Sequence, residues 1–362
     1  MKPLIVPFFI SHQGCPHQCV FCDQRRIAGH DGGLPSATEL RERIARFTAS
    51  SDGRPVEVAF YGGTFTSLSA EAQERLLAPL QPLIASGEVM TVRLSTRPDA
   101  VDGEAARFLR SRGVRTVELG VQSMDDRVLA ASGRGHTADH VVQAFASLRE
   151  AGIAVGAQLM PGLPGDTKET SLASLQRVLA LSPACLRIYP TVVLEGTRLA
   201  EFWRGGSYTP LGMEEAVSLC AAMLRVCLLA GVPVIRIGLQ PTEELEASGT
   251  MLAGPWHPAF RQLVEGELWY DCLDRLMVDV PAGATVSLVC APSRVSDVTG
   301  QRRKNLERLR ERRGILVTRV TGSADLTLLD IALIHAGGTV AGNLLAETAR
   351  CPSHIQGGYP FD

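Results

Sequence analysis

Three cysteines lie close together near the start of the chain, at Cys15, Cys19 and Cys22. Their C-x₃-C-x₂-C spacing places three thiols on one short loop, directly after the apolar segment Leu4 to Ile10. Soft sulfur ligands suit iron–sulfur clusters, zinc and Cu(I), so three closely spaced thiolates can hold one metal centre. The residues between and around them are polar, which disfavours the alternative that all three are plain core cysteines.

The fourth ligand decides which chemistry such a loop performs. A closed structural zinc site needs four protein ligands, and His12, His17 or His30 is near enough in the sequence to supply one. An iron–sulfur cluster held by three cysteines keeps one iron open for a substrate or cofactor. The residues alone leave both alternatives open. The other cysteines of the chain show no ligand spacing, so we expect no second metal centre.

The cysteine loop, with Phe21 one place before its last cysteine, resembles that of the radical S-adenosylmethionine (SAM) superfamily. The resemblance implies a 4Fe–4S cluster on Cys15, Cys19 and Cys22, with S-adenosylmethionine bound to its open iron. It also implies reductive cleavage of that cofactor to a 5′-deoxyadenosyl radical, which abstracts a hydrogen atom. An electron donor such as flavodoxin or ferredoxin is then an expected partner.

Two glycine-containing segments extend this resemblance. The segment Tyr61 to Thr64 looks like the family's Gly-Gly segment, which implies that Gly62 and Gly63 meet the methionine part of the cofactor. A backbone without Cβ atoms allows a ligand to approach closely. Without the cysteines, an ordinary strand-to-helix turn would explain it equally well. The segment Met160 to Gly165 resembles a loop that packs near the adenine in relatives, but it also suits a rigid turn.

A longer segment indicates which branch of the superfamily the chain resembles. Residues 118–123 and 132–136 are similar to a segment shared by the Elongator catalytic subunit and oxygen-independent coproporphyrinogen III oxidase. The resemblance implies that Gln122 contacts the ribose hydroxyls and that Arg134 pairs with the methionine carboxylate, which suits an amide and a guanidinium. Otherwise Gln122 is a strand-end amide, Arg134 a solvated helix residue, and His136 a helix cap.

The chain also departs from these relatives at two positions. Ser95 stands where they commonly carry a ribose-binding Glu, and Gln158 stands where some of them have Asp. Both replacements are neutral groups that still form hydrogen bonds with a hydroxyl. We therefore expect cofactor binding and assign no ribose contact to Ser95 or Gln158.

The elements that must position these residues alternate between strands and helices over the first two thirds of the chain. The predicted strands are Ile5–Ile10, Val56–Tyr61, Thr91–Ser95, Thr116–Gly120, Ala154–Met160, Cys185–Tyr189 and Val234–Ile237. The predicted helices are Thr38–Ser50, Ala70–Ser86, Gly103–Arg112, Ala138–Ala151, Lys168–Ala180 and Met213–Ala230. Nearly continuous apolar strands separated by helices indicate a parallel sheet covered by helices.

We therefore predict an α/β fold, a partial (β/α) TIM-like barrel of the radical SAM type, over residues 1–245. The glycine segments follow strands, which places them at the carboxyl ends where barrel enzymes keep their chemistry. Residues 246–362 are expected to form a small C-terminal α/β accessory region. There we predict strands at Thr285–Cys290, Ile315–Val320 and Leu326–Leu329, and one helix over Val295–Arg313.

Two features of the second half bear on the branch and the substrate. Arg187 to Thr191 resembles the Elongator catalytic subunit more than the porphyrinogen oxidase, whereas residues 246–362 show no counterpart of the Elongator acetyltransferase. The segment Gln301 to Arg313 is strongly basic. The segment is either a basic patch that contacts RNA phosphates or the solvated face of an amphipathic helix, and the second explanation is favoured.

The amino-acid composition excludes several classes of protein. Lys plus Arg is 36 and Asp plus Glu is 38, a formal net charge of −2, which excludes a polycation that coats nucleic acid. With 45% hydrophobic residues the chain can bury a core and is not disordered. The apolar start is too short for a signal peptide, and Val217 to Ile235 is interrupted by Arg225 and Pro233. We expect a cytoplasmic protein without membrane contact.

The sequence thus predicts a radical SAM enzyme that binds a 4Fe–4S cluster and cleaves S-adenosylmethionine. An RNA base is the preferred substrate, with transfer RNA as the expected partner. Two alternatives remain: a radical SAM enzyme acting on a porphyrinogen-like small molecule, and a metal-bearing binding protein without radical chemistry.

Overall fold

The computed structural model describes residues 3–10, 15, 17–23, 33–246 and 249–346. Its contacts divide the chain into two compact units. The first runs to Met213 and resumes from Val232 to Pro258. The second takes Glu214 to Gly231 and the residues from Ala259 onward.

The first unit is built on a parallel sheet. Its strands are β1 (Leu4–Phe9), β2 (Val56–Tyr61), β3 (Thr91–Thr96), β4 (Val114–Gln122), β5 (Ala154–Leu159), β6 (Cys185–Ile188), β7 (Val193–Leu194), β8 (Val234–Ile237) and β9 (Met251–Ala253). Among the described residues, seven of them pair in the order β1-β2-β3-β4-β5-β6-β8, every neighbour parallel. The short β7 and β9 form a separate antiparallel pair.

Helices follow the strands as right-handed crossovers require. Up to residue 246 they are α1 (Ala37–Ala49), α2 (Ala70–Leu77), α3 (Gln81–Ala85), α4 (Gly103–Ser111), α5 (Asp126–Ala131), α6 (Ala138–Glu150), α7 (Lys168–Ala180), α8 (Arg198–Arg204), α9 (Met213–Leu229) and α10 (Glu243–Glu246). The side chain of Ser69 caps α2 by accepting from the Ala72 amide. The predicted single helix over Ala70–Ser86 is wrong, because Pro79 and Pro82 interrupt it with a 3₁₀ turn.

The sheet curls so that its distant strands face each other. Adjacent strands lie about 4.8 Å apart, so a flat sheet would separate β2 from β6 by about 19 Å. Nevertheless, Nη2 of Arg187 on β6 lies 3.3 Å from the hydroxyl of Tyr61 on β2. The side chains therefore meet across the concave face, and the predicted partial barrel is confirmed.

The second unit contains most of α9 together with a small mixed sheet. Its other helices are α11 (Phe260–Leu276), α12 (Val295–Thr299) and α13 (Lys304–Arg313), and its strands are β10 (Thr285–Cys290), β11 (Leu316–Gly322), β12 (Asp330–His335) and β13 (Gly338–Asn343). The strand order is β11-β10-β12-β13, with only the β10–β11 pair parallel. The predicted C-terminal α/β extension is thus present.

Two predictions for this unit are wrong in detail. The strand expected at Leu326–Leu329 is a loop, and the strand begins at Asp330 as the first half of a hairpin with β13. The helix expected over Val295–Arg313 is interrupted between α12 and α13, where Arg302 and Arg303 have left-handed backbones with φ of +53° and +65°. Within the described ranges, no helix is both long and apolar enough to cross a membrane.

Candidate active site at the carboxyl ends of the strands

The cysteine loop after β1 is fixed to the rest of the first unit at Val20. The Val20 amide donates to the Ser132 carbonyl at 3.0 Å, and the Val20 carbonyl accepts from the Leu199 amide at 2.8 Å. Cys19 and Phe21 are buried in one apolar cluster with residues of α5 and α8. Hydrogen bonds and packing therefore hold this loop against segments more than a hundred residues away in the sequence.

The three cysteines differ in exposure. Cys19 is buried, whereas Cys15 and Cys22 are half-buried, and the Cys15 thiol lies 3.3 Å from the His17 carbonyl. In the part of the chain that the structure describes, no three His, Cys, Asp or Glu side chains lie close enough together to hold a metal ion. Their role as ligands therefore remains a prediction. His12 and His30, considered above as zinc ligands, lie outside the described residues.

Arg134 connects the cysteine loop to the end of β4. One guanidinium nitrogen, Nη1, lies 3.5 Å from Sγ of Cys19, and the other, Nη2, donates to the Gly120 carbonyl at 2.6 Å. The residue is only 7% exposed, so it is not the solvated helix residue of the alternative interpretation. The structure thus brings together two residues that the sequence assigned to the same site.

Two glycines make this close approach possible. A Cβ on Gly120 would lie 2.7 Å from Arg134 Nη2 and 3.2 Å from Gln122 Nε2. A Cβ on Gly135 would lie 2.5 Å from the His17 ring. Larger residues at these positions would push the arginine or the cysteine loop out of place.

Sequence patterns alone missed Arg97, which lies at the same end of the sheet just beyond β3. Its guanidinium pairs with Asp99 through Nε at 2.9 Å and donates through Nη2 to the Arg134 carbonyl. Burial alone would raise the pKa of Asp99, but the Arg97 hydrogen bonds and charge lower it below its usual range. Arg97 follows Ser95 by two positions, and this period of two along the strand was the available signal.

His136 lies beside this pair and does not cap a helix. Its Nε2 donates to the Val121 carbonyl at 3.1 Å, while α6 is capped by Thr137 and His140. Burial, with the charges of Arg134 and Arg97, lowers the pKa of His136 to about 3. The ring is therefore neutral, with Nδ1 as an acceptor.

Three buried nitrogen atoms around this point have no hydrogen-bond partner among the described residues: Nη1 of Arg97, Nε of Arg134 and Nδ1 of His136. An unsatisfied buried polar atom costs about 1–3 kcal/mol, so such atoms need an explanation. Two of the three are guanidinium donors, and the Arg134 guanidinium lies beside the Cys19 thiol. This donor set fits an anionic group, such as a thiolate-ligated iron–sulfur cluster with a bound carboxylate.

Gln122 ends β4 in a strained conformation. Its φ is +67°, and the pairing of β4 with β5 shifts register between Leu119 and Gln122. Its Oε1 accepts from Nε2 of Gln158 at 3.2 Å. The amide pair therefore links the ends of β4 and β5.

The Gly-Gly segment lies at the same end of the sheet, directly after β2. Gly62 has a φ of +83°, a conformation that L side chains rarely adopt, which explains glycine there. Gly63 is half-buried. The two glycines and Gln122 thus stand at the carboxyl ends of their strands, as predicted from the topology.

Below these residues, a buried chain of charges crosses the concave face of the sheet. Arg93 donates to Glu57 and to Glu118, both at 2.9 Å. Arg187 forms an ion pair with the other side of Glu118. Burial alone would lower the pKa of Arg187, but Tyr189 and Glu118 raise it above its usual value. The interior of the sheet is therefore polar, which suits a polar ligand.

The buried cysteines outside the loop behave as core residues. Cys185, Cys220, Cys227, Cys272 and Cys290 are buried, and burial raises the pKa of Cys227 to about 12 and of Cys290 to about 11. Such thiols are poor metal ligands. Cys351 lies outside the described residues.

In the second unit, much of the basic segment is neutralised by α11. Arg308 forms a two-point ion pair with Glu267, and Arg312 and Arg313 pair with Asp274. Leu306 and Leu309 are buried. These contacts support the amphipathic-helix explanation for this segment.

Comparison with known proteins assigns two parts of the chain to families. Residues 9–178 match the radical SAM superfamily domain, and residues 183–270 match the Radical_SAM C-terminal domain.

Curated relatives point to one branch. The tRNA uridine(34) acetyltransferase of Methanocaldococcus jannaschii is 28% identical over 59% of this chain and 47% of its own length. The protein of the same name from Dehalococcoides mccartyi is 30% identical over 54% of this chain and 50% of its own length. Elongator complex protein 3 of Saccharomyces cerevisiae is 30% identical over 47% of this chain and 34% of its own. The chain spans about half the length of the curated relatives it matches.

A solved structure shares the fold. The archaeal Methanocaldococcus infernus Elp3 with an N-terminal deletion superposes with a TM-score of 0.57 and 22% identity, over 73% of this chain and 62% of that chain. Since two successive family domains cover most of residues 9–270 and this fold agrees with them, the chain belongs to the radical SAM superfamily of enzymes, which use a 4Fe–4S cluster and S-adenosylmethionine.

Proposed function

We propose that this enzyme binds a 4Fe–4S cluster through Cys15, Cys19 and Cys22 and cleaves S-adenosylmethionine to modify a uridine base in transfer RNA. In this proposal, Gly62 and Gly63 meet the methionine part of the cofactor. Gln122 binds the ribose hydroxyls, and Arg134 binds the methionine carboxylate. Residues 1–245 carry this chemistry, and residues 246–362 form an accessory region.

One observation carries the cofactor part of the proposal: Arg134 lies between Cys19 and the end of β4 and keeps an unpaired buried Nε. A cluster at Cys19 and a carboxylate beside it would give this guanidinium anionic partners. The unpaired Nη1 of Arg97 would face the same charge. The residues therefore supply the positive charge that three thiolates and a carboxylate require.

The chemistry supplied by the bound cluster and cofactor is one-electron cleavage of the S–C5′ bond, which releases methionine and a 5′-deoxyadenosyl radical that takes a hydrogen atom from the substrate. Enzymes of this superfamily need an electron donor, and we propose flavodoxin or ferredoxin. The chain's own residues orient the cofactor: Arg134 holds the carboxylate end, and the amide of Gln122 the ribose end. The buried walls around Cys19 exclude water from the reacting centre.

Support for a transfer RNA substrate comes from the relatives named as tRNA uridine(34) acetyltransferases. In the second unit, Arg302, Arg303 and Arg310 are exposed and have no ion pair among the described residues. They leave a modest basic surface for phosphates, so we expect RNA affinity to fall as salt is raised.

Anaerobic reconstitution with iron and sulfide tests the cofactor part. We expect about four irons per chain and, after reduction with S-adenosylmethionine present, formation of 5′-deoxyadenosine. The C19S variant should lose both. The matched control C227A removes a buried core thiol and should retain both. Cleavage retained by C19S, or one tightly held zinc in place of iron, would contradict the proposal.

The substrate part has its own test. An unmodified tRNA transcript should stimulate 5′-deoxyadenosine formation, because it supplies the hydrogen atom that the radical takes. Stimulation by a porphyrinogen and not by the transcript would contradict the RNA substrate while leaving the radical chemistry intact.

A further inference from the structure

The hydroxyls of Tyr61 and Tyr189 both lie within hydrogen-bond distance of the Arg187 guanidinium, at one end of the buried chain of charges. Nη2 of Arg187 donates to the hydroxyl of Tyr61 at 3.3 Å, and Nη1 donates to the hydroxyl of Tyr189 at 3.1 Å. A guanidinium has no acceptor, so each phenol oxygen must accept from it and keeps its own O–H proton to donate. Over the described ranges, neither hydroxyl donates to a protein acceptor.

The surroundings keep Tyr61 neutral and hold its ring in place. Burial and the Glu118 carboxylate raise the pKa of Tyr61 well above its usual value, so the phenol stays protonated. The Arg187 guanidinium lies over the Tyr61 ring, 5.3 Å from its centre, and its charge is matched by Glu118. Because Glu118 already balances the charge of Arg187, Tyr61 and Tyr189 offer a ligand two O–H donors and no net positive charge. Such donors suit a carbonyl oxygen better than an anion.

The position of the pair connects it to the reaction. Tyr61 is the last residue of β2 and directly precedes Gly62, and Tyr189 directly follows β6. Both are half-buried. The donors therefore lie on the concave face of the sheet, at the same end as the cysteine loop and Gln122.

We propose that Tyr61 and Tyr189, held by Arg187, bind a carbonyl oxygen of the uracil base that reacts. This inference rests on the proposed function and adds the group of the substrate that is recognised. The pair would orient the ring toward the cofactor and select bases that carry a carbonyl acceptor at that edge. If the bound carbonyl is the one at position 4, cytosine, which has an amino group there, would be rejected.

The test uses reconstituted enzyme and an unmodified tRNA transcript with uridine at the first anticodon position. Y61F and Y189F each remove one donor and keep the ring. We expect each to bind the transcript about 5- to 10-fold more weakly, measured with S-adenosylmethionine but no reductant, and to lower the RNA-dependent kcat/KM by a similar factor. The control Y270F removes a hydroxyl in the second unit, where Arg308 stacks on the ring, and should match wild type.

Transcripts with 2-thiouridine or 4-thiouridine at that position identify the carbonyl, since sulfur is a poorer acceptor than oxygen. Wild type should lose more than about 10-fold on one of the two, and each tyrosine variant, which keeps only one donor, should lose less on it than wild type does. If wild type turns over the transcript and Y61F and Y189F behave like Y270F, the donor pair is overturned and the proposed function stands. A wild type that cleaves S-adenosylmethionine but neither binds nor turns over the transcript would overturn the RNA substrate and the uracil contact together.

Discussion

The guanidinium of Arg134 lies 3.5 Å from the sulfur of Cys19, although 115 positions separate the two residues in the sequence. The contact forms because the loop after α5 and the loop after β1 meet at the same end of the sheet. It places a fixed positive charge against a thiol that has a metal-ligand spacing. Substitutions that remove or displace this charge should therefore act first on the binding of an anionic group.

The first prediction is that R134Q weakens cofactor binding more than cluster assembly. Losing a charge-assisted contact costs about 1.5–3 kcal/mol, so the Kd for S-adenosylmethionine should rise by about 10- to 100-fold. Equilibrium dialysis on reconstituted enzyme measures it, with the iron content determined alongside. R127Q removes an exposed arginine paired with Asp125 and serves as control. An unchanged Kd in R134Q would contradict the assigned role.

The second prediction is that G120A has the same effect by steric means. The new Cβ would lie 2.7 Å from Arg134 Nη2, so the guanidinium must leave its position between Cys19 and the Gly120 carbonyl. We expect a rise of about 10-fold in the Kd for S-adenosylmethionine, consistent with the loss of roughly 1.4 kcal/mol of binding free energy. G212A adds a Cβ where no atom lies within 4 Å and should leave the Kd unchanged.

The third prediction concerns Glu118, which is 5% exposed and forms ion pairs with Arg93 and Arg187. E118Q leaves the buried cation of Arg187 without its carboxylate and Arg93 with Glu57 alone, so the free energy of unfolding should fall by about 3 kcal/mol. E74Q breaks an exposed pair with Arg112 and should cost less than about 1 kcal/mol. Urea unfolding measures the loss of unfolding free energy in both variants. Equal losses would show that the buried ion pairs of Glu118 stabilise the fold no more than the exposed pair does.

The fourth prediction is a pH dependence set by His136. Its pKa is about 3 in the folded protein, against 6.5 as the ordinary value. Between these values the unfolded chain binds a proton that the folded chain does not, so stability falls as the pH is lowered from about 7. H136Q keeps a donor for the Val121 carbonyl and does not titrate. Wild type should therefore lose about 2 kcal/mol more than H136Q between pH 7 and pH 5, measured by urea unfolding. Parallel losses in the two proteins would refute it.

Local sequence patterns predicted the sheet and the positions around it well. Apolar runs such as Val56–Tyr61 and Val234–Ile237 became strands with the predicted bounds. Since parallel strands all end at one edge, the strand pattern was sufficient to place Gly62 and Gln122 at the same end as the cysteine loop. The helix that begins after Ser69 is interrupted at Ala78–Leu80, and this break could also have been inferred from Pro79 and Pro82.

Contacts between distant segments could not be predicted in this way. The pairing of Arg308 with Glu267 depends on how α11 and α13 pack side by side, which no local pattern encodes. The same holds for Arg187, whose reach to Tyr61 depends on the curl of the whole sheet. The link from Arg97 to Arg134 was hidden because it is made to a backbone carbonyl, which any residue type provides.

The left-handed backbone at Gln122 sets folding stability against function. A non-glycine residue at positive φ costs about 1 kcal/mol, which a glycine would recover. Selection for stability alone would therefore favour Gln122→Gly, and the amide that faces Gln158 would disappear with it. Any effort to engineer a more heat-resistant form of this enzyme should leave this position untouched, because the substitution that stabilises the fold most simply is the one that removes a proposed cofactor contact.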